Sequence, residues 1–397
     1  MDQDELACLI ALAGLPGLGP ATLLRLCIET DPVDVWREVQ AGRVLGVEVL
    51  SQAIRNPHRA EKAARLAQAS QPVDPAEELR RHRSDGRRIR VWGCPGYPER
   101  LAEDPFPPVI LFVEGDESTL GGPAVALVGT RNATRAGREM AADLGAGLAR
   151  SGVNVVSGLA LGIDGAAHAG ALRVAAAGGA DAADGPDPGR PIGVIASGLD
   201  IAYPRRHQQL HRDVSRRGVL VSETPLRRRP NAWRFPARNR IIAALADAVV
   251  IVESRSQGGS MLTAADALLR DRPVLAVPGH PTSAAAAGAN DLIFDGATPV
   301  RDLEDILVAI GRGGTGVEVP TTIIDPGASA EHRSILTAIG TDPCSLDEVV
   351  DRSGLALDVV ATALVQLEAK GTVIRAGSWF ERSGPHRSAT GQKRARR

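Results

Sequence analysis

The sequence predicts an α/β protein whose main domain is an extended Rossmann-like, doubly wound parallel sheet, with a small N-terminal helical domain and a C-terminal winged helix. From Ala124 onward, short apolar runs alternate with segments of helical periodicity. Each run is apolar almost throughout, which is typical of a parallel sheet covered by helices on both faces. The predicted strands are AVALVGT from 124, VNVVSG from 153, IGVIAS from 192, VLVSET from 219, VVIVES from 249 and VLAVPG from 274.

The segments before and after this domain have a different pattern of apolar residues. Residues 1–70 show helical patterns, among them Leu6–Ala13, and the proline-rich stretch 71–118 contains one clear strand, Val109–Val113. Three helices and a hairpin pattern after residue 330 predict a winged helix-turn-helix. The predicted boundaries are 1–70 helical (SAM/helix-hairpin-helix-like), 71–311 Rossmann-like, 312–330 linker, 331–384 winged helix and 385–397 basic tail, with a low-complexity surface loop at 175–191.

Composition narrows the class of protein. The 397 residues are 44% hydrophobic and 23% charged, with a net charge of −1, as in ordinary globular proteins. The four cysteines form no CxxC pair, so we expect neither a zinc site nor disulfides. No apolar run approaches ~18 residues, so we expect no membrane span. A cytoplasmic protein with reduced thiols is predicted, with no metal and no cofactor.

Three glycine-rich loops each follow a predicted strand and open a helix. Backbone N–H groups at such helix starts favour anions, and ligands of these sheets bind beyond the carboxyl ends of the strands. Each loop alone fits a plain tight turn, but together, with the planar guanidinium of Arg131, they favour a phosphate-bearing ligand. The loop residues are Gly129, Thr130, Arg131 and Thr134 in GTRNAT; Gly158, Gly162 and Asp164 in SGLALGIDG; and Gly259 and Ser260 in QGGS. For Asp164, capping of the helix is favoured over acid catalysis.

An arginine-rich segment supports the prediction of a phosphate-bearing ligand. Residues 205–240 contain eleven arginines against Asp213 and Glu223, a net charge of +9 in a chain whose total is −1. Arg234, Arg238 and Arg240 stand at the start of an apolar helix without an obvious acidic partner, which predicts a phosphate clamp. Several consecutive phosphates are needed to use so much charge, so nucleic acid is favoured over a single nucleotide.

Other ligand classes are disfavoured by their missing motifs. GTRNATRAG departs from GxGxxG, and GxxxxGK[ST] is absent, so neither a dinucleotide site nor a P-loop is predicted. Only eleven aromatic residues are present, too few for an extensive base-stacking surface. Phe235, between Arg234 and Arg238, either stacks one base or packs beneath its loop.

Seven motifs in order make the chain resemble the bacterial DNA-processing protein A (DprA/Smf) family over nearly its whole length. The motifs are VGTRNAT, SGLALGIDGAAH, GLDIAYP, VSETP, FPARNRIIAALAD, GGSMLTAADAL and VLAVPG. The resemblance implies a non-enzymatic homodimer that binds single-stranded DNA, protects incoming DNA and loads the RecA recombinase in natural transformation. It places Gly129, Thr130, Arg131, Thr134, Phe235, Arg238, Asn239 and Arg240 in the DNA pocket.

The flanking modules carry the wrong charge for DNA. GLPGLG looks like a helix-hairpin-helix turn, but residues 1–30 contain four acids against Arg25 alone, which favours a structural role. Residues 331–370 contain seven acids against three bases, so the predicted recognition helix is a poor reader of the major groove. Protein contact or regulation is favoured for the winged helix.

Two rival functions stay open at this point. The α/β core also looks like the phosphoribohydrolases that release a base from a nucleoside monophosphate by means of a glutamate after a glycine-rich turn. Here GGSMLTAADA offers Ser260 and Asp266 but no glutamate, which weakens that alternative. A transcription factor that uses the winged helix is weakened by the acidic count.

Overall fold

The computed structural model describes residues 1–42, 59–84, 86–177, 187–313, 329–339, 344–370, 372–376 and 379–382. The chain divides into two units, Met1–Val317 and Glu318–Arg397. The predicted basic tail, most of the predicted linker and the centre of the predicted 175–191 loop lie outside the described residues. The predicted domain boundaries stay predictions.

Helices dominate the N-terminal segment, as predicted. Asp2 caps the first helix through a reciprocal capping box with Glu5, and proline occupies the first turn of three later helices, where its missing N–H has no cost. The helices are α1 (Gln3–Gly14), α2 (Pro20–Glu29), α3 (Pro32–Gln40), α4 (Arg59–Ser70) and α5 (Pro75–Arg83). Leu9, Leu12 and Leu26 are fully buried in their shared core.

The predicted parallel sheet is confirmed. Among the described residues nine strands form one sheet in the order β1-β2-β6-β5-β4-β3-β7-β8-β9, and every pairing from β6 to β9 is parallel. The strands are β1 (Arg88–Val91), β2 (Ile110–Gly115), β3 (Ala124–Gly129), β4 (Asn154–Ser157), β5 (Pro191–Val194), β6 (Val219–Ser222), β7 (Ala248–Glu253), β8 (Val274–Ala276) and β9 (Thr298–Pro299). The strand order reverses between β3 and β7, the place where such sheets bind ligands.

Crossover helices connect the parallel strands. They are α7 (Arg135–Arg150), α8 (Ile163–Ala177), α9 (Gln208–Arg217), α10 (Arg234–Leu245), α11 (Gly259–Leu268) and α12 (Ala287–Phe294); a short α6 (Glu99–Ala102) precedes them, and α13 (Leu303–Ala309) follows the last strand. Helix α7 packs on α8, and α10 packs on α11. Right-handed crossovers on either side of β3 place these two pairs on opposite faces of the sheet, which defines the doubly wound arrangement.

An antiparallel edge departs from the sequence prediction. β1 and β2 form a hairpin whose second strand pairs antiparallel with β6. The sequence analysis predicted β2 but missed β1, because arginines occupy two of the four positions of that strand. It also missed β9, which is only two residues long.

The second unit has the predicted winged-helix elements. Its helices α14 (Ala330–Ile339), α15 (Leu346–Ser353) and α16 (Leu357–Ala369) are accompanied by β10 (Cys344–Ser345), β11 (Val373–Ala376) and β12 (Trp379–Arg382). β12 pairs antiparallel with both β10 and β11 to form the wing. Ser345 caps α15 with a capping box to Glu348, and Gly354 ends the helix at φ +66°.

None of the helices described is both long and apolar enough to cross a bilayer.

Candidate nucleic-acid interface

The three predicted loops lie at the carboxyl edge of the sheet, after β3, β4 and β7. Two of them touch through their backbones. A Cβ on Gly129 would lie 2.5 Å from the side chain of Ile163, and a Cβ on Gly162 would overlap the carbonyl oxygen of Thr130. Gly162 also has φ +81°, a conformation that glycine adopts without strain. Glycine is therefore required for this contact between the β3–α7 and β4–α8 loops.

The start of α7 is already capped by the chain itself. The Thr134 hydroxyl accepts from the Gly137 N–H at 3.0 Å, and a carboxylate oxygen of Glu253 accepts from the Thr134 N–H at 2.7 Å. Glu253 is 7% exposed and ends β7. The anion site that the sequence predicted at this helix start thus holds an internal carboxylate, which leaves the side chain of Arg131 to face solvent.

Asp164 closes the second loop in the same way. Its carboxylate is buried and accepts from the backbone N–H groups of Gly158, at 3.1 Å, and Ala160. Burial raises the pKa of this carboxyl, and the charge of Arg238 opposes that rise. Asp164 therefore stabilises the loop that precedes α8, and the helix-capping role favoured from the sequence stays a prediction.

Arg238 lies beneath the pocket floor. It is 5% exposed, and its Nη1 donates to the carbonyl oxygens of Gly158, at 2.8 Å, and Val194. Burial lowers its pKa to about 10, so the guanidinium stays charged at neutral pH. A Cβ on Gly158 would overlap the guanidinium. Arg238 therefore links the ends of β4 and β5 through its hydrogen bonds. Only a small part of its surface is accessible to a ligand.

The exposed Arg131 and Tyr203 and the half-buried Phe235 form the accessible part of the site. The Arg131 guanidinium carbon lies 4.7 Å from the centre of the Phe235 ring, a cation–π contact, and the Tyr203 ring lies 5.7 Å from that ring. Within the described chain, Arg131 has no acidic partner at ion-pair distance. These three side chains, Gly158 and Arg238 line one pocket, which we call the core pocket.

The contacts of Arg240 contradict one prediction made from the sequence. Its guanidinium forms an ion pair with Glu223, 17 positions earlier, and donates to the carbonyl oxygen of Phe106 at 3.0 Å. The expectation that the arginines at the start of α10 have no acidic partner is wrong for this residue. Glu223 ends the β6 region, so spatial proximity across two elements creates a pair that the local sequence hides.

The third loop, before α11, differs from the first two because no side chain caps its helix. Gly259 is exposed, and its carbonyl accepts from the Asn239 amide at 3.4 Å. Ser260 is buried, and its hydroxyl donates to Ser254 at 2.8 Å. Asn239 thus links α10 to this loop, and Ser260 fixes the turn from within.

Sequence analysis missed the roles of Glu253 and Tyr203. Glu253 ends a predicted strand, and Tyr203 lies in the loop after another one, within the motif GLDIAYP. An exposed aromatic residue in a loop at the carboxyl edge of a sheet was the available signal for Tyr203, which is 47% exposed. Glu253 gave no such signal, because a carboxylate at the end of an apolar strand has many possible partners.

The chain matches the family model described as DNA recombination-mediator protein A over residues 88–311, and the DprA winged helix domain over residues 320–377. Protein Smf of Synechocystis is 30% identical over 94% of this chain and 97% of its own. A putative DNA processing protein DprA of Mycobacterium tuberculosis is 40% identical over 64% of each chain. The X-ray structure of DprA from Streptococcus pneumoniae superposes with a TM-score of 0.60 at 27% identity, covering 78% of this chain and 98% of that one.

The burial of Arg238 predicts that its main contribution is to stability. Arg238→Met should lower the free energy of unfolding by ~2–4 kcal/mol, because two buried carbonyls lose their donor and Asp164 loses a nearby cation. Arg131→Met, at an exposed position, should change it by less than ~0.5 kcal/mol. Urea unfolding of both variants measures this contrast, and equal losses would contradict the buried role of Arg238.

His168 predicts a pH dependence of stability. It lies one turn after Asp164 on α8, is fully buried, and has its pKa lowered from 6.5 to about 4, first by burial. The unfolded chain binds this proton more readily, so stability is full above pH 6.5 and is lost as the pH falls towards 4. Between pH 7 and pH 5 the loss from this residue is ~2 kcal/mol.

The measurement is chemical unfolding at both pH values for the wild type and His168→Gln. The difference between the two proteins isolates this histidine, because all other titrating groups are common to both. An identical pH dependence in the variant would show that His168 does not titrate between the folded and unfolded states.

Proposed function

The chain belongs to the DNA-processing protein A (DprA/Smf) family, and on that premise we propose that it binds single-stranded DNA in the core pocket, without catalytic turnover. The observation that carries the proposal is the contact of the exposed Arg131 with the half-buried ring of Phe235, flanked by Tyr203. A cation supplies a phosphate contact, and the two rings supply surfaces on which unpaired bases stack. A duplex keeps its bases stacked within the helix, so these surfaces favour a single strand.

The charge around the pocket supports a polymeric ligand. Three exposed arginines follow the core-pocket residues Tyr203 and Pro204 along the chain, and in the described part of the chain none of them forms an ion pair with an acid. They are Arg205, Arg206 and Arg212. Such a surface attracts a polyanion over several phosphates and makes its affinity strongly dependent on salt.

Two contacts weigh against the phosphoribohydrolase alternative. The Ser260 hydroxyl is buried against Ser254, and Asp266 lies 3.6 Å from Arg270, on the helix that follows the third loop. Neither group is exposed next to the core pocket as a nucleophile or general acid. A binding protein therefore fits the described residues better than a hydrolase.

We further propose that the protein acts in the cytoplasm as a homodimer that protects incoming single-stranded DNA and loads the RecA recombinase in natural transformation. Membership of a family of recombination mediators supports this role. Exposed apolar side chains on α11 and α12 support an association surface: Leu268 is 61% exposed and Phe294 is 92% exposed. Both helices pack against β7 and β8, so they lie near the same edge of the sheet.

The core pocket predicts the effect of two substitutions on binding. Phe235→Ala should weaken binding of a labelled oligothymidylate by ~1–3 kcal/mol, the cost of one lost stacking contact. Arg131→Ala should weaken it and reduce the slope of log affinity against log salt by ~0.7, the value for one phosphate contact on a single strand. Fluorescence anisotropy across a salt series measures both effects.

Arg150→Ala is the matched control, because this exposed arginine ends the helix that Arg131 precedes and lies at the opposite edge of the sheet. It should bind like the wild type. Wild-type affinity in folded Arg131→Ala and Phe235→Ala would remove the core pocket as the DNA site. Preference of the wild type for duplex would reject the single-strand proposal itself.

The apolar surface predicts the oligomeric state. Leu268→Glu combined with Phe294→Glu should convert a dimer into a monomer, because two charges would have to be buried in the interface. Sedimentation velocity measures the mass, and Ile28→Glu, at a 58% exposed apolar residue of α2, is the control. A wild type that is monomeric at all concentrations, or a double variant that remains dimeric, would contradict this surface.

A further inference from the structure

A second pocket lies on the other side of the loop that borders the core pocket. Residues 223–233 connect β6 to α10, and Pro230 of this loop lines the core pocket. On the opposite side, the loop and the turn after α1 enclose an open cavity of about 310 Å³. We call it the arginine pocket. Its polar and glycine lining includes Gly17, Arg227, Arg228, Arg229, Asn231 and Arg234.

Arg234 is the strongest sign that this pocket binds a ligand. The residue is 8% exposed, and its Nε and Nη1 are buried without a hydrogen-bond partner in the described part of the chain. Its guanidinium carbon lies 5.1 Å from the centre of the Trp233 ring, which gives a cation–π contact but accepts no conventional hydrogen bond. A buried guanidinium without acceptors is unfavourable. Both nitrogens are closed to solvent, so an anionic ligand in the pocket would meet the charge of this guanidinium and not these two donors.

The net charge of the pocket lining is positive. Its lining contains four arginines and, among the described residues, no acid. Two carboxylates near the pocket have partners of their own. Glu223 forms an ion pair with Arg240, although its charge also acts on Arg234, and Asp200 accepts from the backbone N–H of Arg227 at 2.9 and 3.0 Å. Asp200 thereby holds Arg227 at φ +62°, which a residue other than glycine seldom adopts.

The N-terminal helices complete the pocket. The guanidinium of Arg228 reaches across to the end of α1, where a Cβ on Gly14 would lie 3.1 Å from its Nη2. Gly17, at φ +86°, shapes the turn that forms the opposite wall. The acidic residues of the N-terminal helices lie outside the arginine pocket, because neither the turn nor the pocket lining contains an acid. The helical module therefore contributes a wall without opposing the positive charge.

We propose that the arginine pocket is a second phosphate subsite, which binds a backbone phosphate of the same single strand that occupies the core pocket. This inference rests on the proposed function. A strand phosphate fits better than a free anion because one loop borders both pockets and because the mouth is open. Trp233, 45% exposed at the rim, offers a face for the neighbouring base. The planar guanidinium groups match phosphate oxygens.

The first test compares two double variants of equal charge in the full-length chain. Arg228→Gln with Arg229→Gln removes two arginines of the pocket, and Arg216→Gln with Arg217→Gln removes two exposed arginines of α9 outside both pockets. Binding of oligothymidylates of ~4 and ~16 nucleotides spans the usual range of site sizes. The pocket variant should bind the longer oligonucleotide about tenfold more weakly, with a salt slope lower by ~0.7, and the shorter one normally. The α9 variant should lose clearly less affinity for the longer one.

Arg234→Met provides a second test with two readouts. Since it replaces an unsatisfied buried cation by an apolar side chain of similar length, the variant should unfold at the same or a higher temperature than the wild type. It should nevertheless bind the longer oligonucleotide about tenfold more weakly. Loss of stability with unchanged affinity would show that Arg234 supports the fold and not a ligand.

The remaining outcomes separate this inference from the proposed function. If the wild type binds the longer strand and the Arg228/Arg229 variant binds it equally well, the second subsite is rejected while single-strand binding stands. If pyrophosphate raises the melting temperature of the wild type but not of that variant, and strand binding is unaffected, the pocket takes a free phosphate ligand and the strand assignment is rejected. A wild type that binds neither oligonucleotide rejects the proposed function, and the subsite with it.

Discussion

The candidate interface depends on one buried guanidinium, that of Arg238. Its two hydrogen bonds hold the end of β4 next to the end of β5, and its charge faces the carboxylate that closes the β4–α8 loop. Position 158 requires glycine, because a Cβ there would overlap this guanidinium. Because this cation is enclosed by carbonyl dipoles, the loops above it are fixed in place before any ligand arrives, and a fixed site loses less entropy on binding.

Internal carboxylates determine which groups remain for a ligand. Glu253 occupies the start of α7 and Asp164 occupies the β4–α8 loop, so two of the three predicted backbone anion sites are satisfied by the protein itself. In the proposed function, the recognition of phosphate therefore falls to arginine side chains such as Arg131 and not to backbone N–H groups. Side-chain guanidinium groups follow a flexible strand more easily than fixed helix termini do, which suits a ligand without a defined shape.

The features that could be predicted from the sequence depend on local patterns of residues, and those that were missed depend on contacts between residues far apart in the chain. The parallel strands were predictable because burial on both faces makes each of them apolar throughout. β1 was not, because Arg88 and Arg90 on this edge strand pair with Glu117, far along the chain, and a strand with two arginines lacks an apolar pattern. The pairing of Arg240 with Glu223 was hidden for the same reason. The loops at the carboxyl edge were predictable, since glycine and strand order place them there, but the partners of each side chain were not.

The net charge of the 205–240 segment therefore overstates the charge available to a ligand. Arg240 is neutralised by Glu223, and Arg238 is enclosed, so neither adds a full exposed charge. Arg234 differs in degree, since two of its buried nitrogens lack an acceptor, whereas only Nε does in Arg238. A buried guanidinium with few acceptors costs stability that an apolar side chain of the same volume would not. In the proposed arrangement Arg131 and Arg234 lie on opposite sides of the β6–α10 loop, where one strand would contact both.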